Sequence, residues 1–233
     1  MKLRAVAMSL AILTCGATAW SQGTARVASS ARGGVSSTVH NLSVSGPGNI
    51  KAQGETEVCK FCHIPHSAVV NQPLWGHVLS DVKGYQTPKV RRRGGRVETG
   101  PQPGGASRLC LSCHDGTVAL GEIGRSRRPI AMAGAQRLGQ GRSGYLGTDL
   151  SGAHPVSISM PDTTDLDDAA DMGVRPAGAI VTDPAVHLDN NKFMQCTTCH
   201  DPHSDSNYQP GRTPHFWVRP TVTEVCLSCH EPH

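Results

Sequence analysis

Aromatic side chains are scarce, with three Trp, three Tyr and three Phe in 233 residues. Together with 26 Gly and 16 Pro, this leaves too little apolar volume for a conventional core of such length. Something other than side chains is therefore expected to fill the middle. A long hydrophobic run is also missing beyond the first twenty residues. No later stretch approaches the roughly 20 apolar residues of a membrane span, so no transmembrane segment is expected in the mature chain. A strong charge of one sign is lacking as well, because 22 basic residues face 18 acidic ones for a net +4. Removing Lys2 and Arg4 with the leader lowers this to +2, which gives no footing for a nucleic-acid partner. The patches Arg91 to Arg96 and Arg125 to Arg128 read as solvated loop charge.

The leader itself is "MKLRAVAMSLAILTCGATAW": Lys2 and Arg4, an apolar run from Ala5 to Leu13, then Ala17-Thr18-Ala19 as a small-residue cleavage site. Residues 1–19 read as a secretory signal peptide. The expected location is periplasmic, extracellular or at the cell surface. "ILTCG" around Cys15 faintly resembles a lipoprotein site, but Thr14 is atypical there. Residues 20–38, rich in Ser, Gly and Ala, read as a flexible lead-in.

Spare cysteines are the last absence. Nine are present, and without Cys15 the remaining eight fall into four C-x-x-C-H units: Cys59/Cys62/His63, Cys110/Cys113/His114, Cys196/Cys199/His200 and Cys226/Cys229/His230. None is left for a structural disulfide, the ordinary use of cysteine in an oxidising compartment. C-x-x-C-H is the attachment signature of c-type haem: two thiols one helical turn apart bond the porphyrin, and the adjacent histidine becomes an axial ligand of the iron. Zinc is the rival reading, but a zinc site gives no reason for His to follow the second Cys four times. The expectation is four covalent haems. Their propionates would bring the net charge to about −2.

Twelve histidines are present; four are proximal. His40, His66, His77, His154, His187, His203, His215 and His233 remain for four open iron positions, which favours bis-histidine over histidine–methionine ligation. Met132, Met160, Met172 and Met194 follow no recurring pattern and read as gap fillers. With every iron able to be closed, electron transfer is favoured over catalysis, and no catalytic residue is assigned.

"CKFCHIPHS" at 59–67 recurs as "CTTCHDPHS" at 196–204, and "RLCLSCHDG" at 108–116 as "EVCLSCHEP" at 224–232. His66 cannot wrap round its own porphyrin from His63, because the tether is short and Pro65 stiffens it. It is therefore expected to reach a neighbouring haem, and His203 likewise past Pro202. In the simplest order His66 ligates the haem of His114, and His203 that of His230. His40, His77 and His154 compete for the rest. The chain then reads as one tetrahaem domain, 39–233, with haem pairs over 39–153 and 154–233.

The stations "VHNLSVSG", "CKFCHIPHS", "PLWGHV", "LCLSCHDGTVALGEIG", "LGTDLSGAHPVSISM", "CTTCHDPHSD" and "VCLSCHEP" resemble the doubled-CxxCH multihaem cytochromes. More narrowly, they resemble the tetrahaem extracellular cytochromes of metal-reducing bacteria, some of which polymerise into conductive filaments. The resemblance implies His40, His66, His77, His154 and His203 as distal iron ligands. It also implies a homopolymer in which one axial histidine is shared between subunits. Redox proteins or extracellular electron acceptors would be the partners. The arginine-rich loops 89–100 and 124–144 depart from that pattern, as does the terminal "CHEPH" with its unmatched His233. A haem-bearing subunit of a multihaem oxidoreductase is the alternative.

The expected fold is a multihaem cytochrome c: mostly coil, with short helices at the CxxCH sites, a few short strands and a haem-stacked core. Helices are expected at "GETEVCKFCH", "ASRLCLSCH" and "VTEVCLSCH". A strand is expected over 154–160, paired with 178–183. The acidic stretch 161–171 reads as a surface loop.

Overall fold

The structure, a computed structural model, describes residues 34–70, 73–124, 128–161, 169–170 and 172–231. The leader, Cys15, most of the lead-in and of the acidic stretch, and His233 lie outside them. Coil and turns dominate. The helices are α1 (Gly105–His114), α2 (Ala177–Ile180), α3 (Cys196–Cys199) and α4 (Val222–Leu227), with a 3-10 turn at Val58–Phe61. Each attachment sequence thus begins in a helical turn, which brings its two cysteines onto one side. No described helix is long and apolar enough to cross a membrane.

Among the described residues six short strands form three antiparallel pairs: β1 (Lys51–Ala52) with β4 (Met132–Ala133), β2 (Lys89–Arg91) with β3 (Val97–Thr99), and β5 (Ile158–Ser159) with β6 (Phe193–Met194). The middle pair is the arginine-rich loop. It turns through Gly94 and Gly95, both in the left-handed region at φ 69° and 71°, and Arg92 Nε donates to Glu98 Oε1 at 2.7 Å. The expected strand at 154–160 narrows to Ile158–Ser159, and its partner is β6 rather than 178–183. Residues 177–180 are helical instead. Pro176 sets the entry to that turn with φ −65°, and Ala177 and Ile180, three apart, both turn inward.

Among the described residues, part of the apolar burial gathers into two small clusters. Met160, Ala177, Ile180, Val186, Leu188 and Met194 form one, against which Cys229 packs. Ala52, Phe61, Leu120 and Met132 form the other, against which Cys113 packs. Met132, Met160 and Met194 all serve as packing in these clusters.

The two sequence repeats interlock. Gln195 Oε1, just before α3, accepts from Ser107 Oγ of α1 at 2.5 Å and from Ser157 Oγ at 3.0 Å. Ser107 Oγ in turn accepts from Cys196 N at 3.1 Å. Residue Gly34 bridges to Ser204, and the His40 ring stacks on Phe216 with centres 4.2 Å apart. The second and third attachment helices are thereby held side by side.

Candidate metal centre

All eight described cysteines are free thiols. At three of the units the proximal histidine's amide donates to the carbonyl of the first cysteine: His63 to Cys59 at 2.8 Å, His200 to Cys196 at 3.0 Å and His230 to Cys226 at 2.8 Å. His114 closes α1. A single helical turn therefore fixes each Cys, Cys and His relative to one another.

The four imidazoles share one further contact. Nδ1 of His63, His114, His200 and His230 lies against the carbonyl oxygen of Pro73 (2.8 Å), Gly144 (2.7 Å), His215 (3.3 Å) and Gly173 (2.7 Å) respectively. A carbonyl only accepts, so the proton resides on Nδ1. Nε2 is then the basic nitrogen offered to a metal, the tautomer and second contact usual for ligating histidine.

Burial pushes the thiols of Cys62 up to about 11 and of Cys113 and Cys199 up to about 12. Zinc takes cysteine as thiolate, which these environments disfavour, whereas thioether sulfurs carry no charge to desolvate. Across the α1–α3 contact the two thiols of Cys110 and Cys196 act on one another, raising the former and bringing the latter to about 7. The donor set thus fits c-type haem better than zinc, and it places the second and third attachment sites next to each other.

With a metal–imidazole bond of about 2 Å, two imidazoles on opposite sides of one ion have ring centres roughly 6 Å apart. Three proximal histidines have another imidazole at about that separation. His203 faces His63 at 6.1 Å, His40 faces His114 at 6.0 Å, and His154 faces His230 at 6.3 Å. The sequence order placed His66 with His114 and His203 with His230; the structure gives both proximal rings other partners. His66 is exposed. His77 is fully buried with Nδ1 2.9 Å from Val78 O and Nε2 3.1 Å from Ala119 O, so both ring nitrogens meet carbonyls. His200 stacks on Trp217, centres 4.8 Å apart, and no histidine ring is placed opposite it among the described residues. Burial lowers the pKa of His40 to about 4, with the nearby His114 adding to the effect, and burial also lowers that of His200. Neutral imidazole is the ligating form.

The first and third units share a device that the sequence motif alone does not contain. Ile64 N donates to Leu74 O and Gly76 N to Cys62 O; in the same way Asp201 N donates to Phe216 O and Val218 N to Cys199 O. Residues 73–76, "PLWG", thus superpose in role on 215–218, "HFWV". Trp75 bridges to His63 and Trp217 to His200. Leu74 and Phe216 both adopt left-handed backbone, φ 61° and 65°, a conformation bulky residues rarely hold. That kink lets the preceding carbonyl meet Nδ1 while the amide two residues on, Gly76 N or Val218 N, reaches the second cysteine. "LW" and "FW" after each doubled motif were the available signal, but the unequal spacing hid their equivalence.

A family profile described as the doubled CXXCH motif matches residues 190–233, which span the third and fourth units. No curated protein matches the chain. The profile supports a place among the multihaem c-type cytochromes, with covalently bound haem iron and the export that such attachment implies.

Proposed function

We propose that the chain is a tetrahaem electron carrier of the periplasm or cell exterior, each iron held between two histidines. The observation that carries this reading is the trio of imidazole pairs at 6.0, 6.1 and 6.3 Å, each joining a CxxCH histidine to one remote in sequence. The haem supplies a one-electron iron couple. The residues supply spacing: His40 belongs to the ring stack on Phe216 beside the third unit while it faces the second, and the hydrogen bonds of Ser107 with Gln195 and Cys196 N hold those two units side by side. A pyridine haemochrome assay is expected to count four haems per chain, and paramagnetic resonance to show low-spin iron. A count of zero would leave only a non-haem metal protein.

Among the described residues no histidine ring lies opposite His200, which favours one extension. A second copy of the chain supplies the missing histidine, and exposed His66 is the residue offered, so that copies join head to tail into a filament. The same observation also supports a second reading, in which that iron is the substrate position of a multihaem oxidoreductase. Light scattering and electron microscopy over a dilution series separate them. In the carrier, a high-spin, cyanide-binding iron appears only as filaments dissociate; in the oxidoreductase it is present at every concentration.

A further inference from the structure

Four buried side-chain nitrogens lack any hydrogen-bond partner among the described residues: Trp75 Nε1, Trp217 Nε1, Arg175 Nε and Arg219 Nε. All four are donors, so what is missing is acceptors. An unpaired buried N–H costs about 1–3 kcal/mol, and native structures rarely leave one so. Their positions are not scattered. Trp75 bridges to His63 with its ring centre 5.8 Å from that imidazole, and Trp217 bridges to His200 at 4.8 Å. Arg175 N donates to Cys229 O at 2.7 Å, next to His230, whose Nδ1 meets Gly173 O. Arg219 adjoins Trp217's neighbour Val218, and its Nη2 is already held by Asp183. Two of the chain's three tryptophans therefore occupy equivalent places in a repeated device, each with the same unsatisfied donor.

We infer that Trp75 and Trp217 donate their indole N–H to propionate carboxylates of the haems held at His63 and His200, and that Arg175 does so at His230. The inference rests on the haem reading above. Ionised carboxylates accept and cannot donate, and they arrive with the group these histidines would ligate. A donor at that edge offsets propionate charge and so favours the ferrous over the ferric centre; second contacts of this kind are among the protein's means of tuning potential. These are positioning residues. An ordered water is the competing acceptor.

Trp75→Phe and Trp217→Phe keep the ring and remove only the N–H. In the full-length haem-loaded protein each is expected to retain four haems, to shift the propionate bending band in the resonance Raman spectrum, and to lower one midpoint potential. Four haems with an unmoved propionate band would overturn the assignment, since water or protein would then be the acceptor. Should either variant fail to mature, ultraviolet Raman on the unaltered protein provides the second test. Its indole bands should report hydrogen-bonded N–H that exchanges slowly in deuterium oxide, and unbonded indoles would overturn the inference. A parent chain with no haemochrome signal would instead sink the haem reading itself.

Discussion

His203 stands across from His63, ring centres 6.1 Å apart and planes inclined by 20°. The second histidine of the later doubled motif thus closes on the first attachment site rather than on the one that follows it in sequence. Removing it should open a single position. His203→Ala is expected to add one high-spin, cyanide-binding haem per chain, and imidazole in the buffer should restore the low-spin spectrum. A spectrum unchanged by the substitution would show that His63 has a different partner.

Leu74 and Phe216 hold the same left-handed backbone at different burial, and this separates strain from packing. Leu74 is 47% exposed, Phe216 only 6%. Relief of about 1–3 kcal/mol of strain, against the extra unfolded-state freedom of glycine, leaves Leu74→Gly stabilising by about 1 kcal/mol. Phe216→Gly loses about 3–5 kcal/mol of buried ring and is expected to be net destabilising. Denaturant midpoints of the two variants should move in opposite directions.

Gln195 joins α1 and α3 through a hydrogen-bonded clasp. Its Oε1 accepts from both Ser107 and Ser157, and its backbone N–H donates to Thr198 Oγ1 at 3.0 Å. Gln195→Ala leaves the Ser107 hydroxyl without its acceptor and Ser157 Oγ with only the long contact to Gly104 O at 3.4 Å, at a cost of about 1–3 kcal/mol. In a chain of this length each kcal/mol lowers the melting temperature by about 2–4 °C. The four cysteine pairs are untouched, so haem content should stay at the parent level while thermal unfolding shifts down.

Much of the local chemistry was legible in the sequence. The CxxCH spacing specifies a helical turn that places Cys, Cys and His together, and structure and pattern agree at all four units because that geometry is local. Abundant Gly and Pro correctly signalled coil. What the sequence did not disclose was which remote histidine faces which proximal one. His40 reaches His114, and His203 reaches His63, through folding of distant segments, and no spacing rule encodes that. The β5 partner differs for the same reason: residues 178–183 carry strand-like Ile180 and Val181, but Pro176 starts a helical turn over Ala177–Ile180, and β5 pairs with β6 instead. Trp75 and Trp217 escaped notice because they stand at different distances from their motifs.

Tyr85 offers a test in alkaline solution. Its hydroxyl donates to Asp115 Oδ2 at 2.7 Å, while Asp115 Oδ1 accepts from Thr117 N and Oγ1, each at 2.8 Å. Burial pushes the phenol up to about 12; a hydrogen bond with Ser80 and the charge of Arg108 oppose the rise, and Asp115 adds to it. An unfolded tyrosine ionises near 10. Because the folded pKa is raised, the stabilisation is fully present below about pH 10 and is lost as pH climbs through about 12. Denaturant midpoints of the parent should therefore be flat up to about pH 10 and then fall. In Tyr85→Phe the midpoint should begin lower, since Asp115 loses a donor, and show a shallower alkaline decline. Equal alkaline slopes in parent and variant would show that this phenol ionises normally in the folded chain.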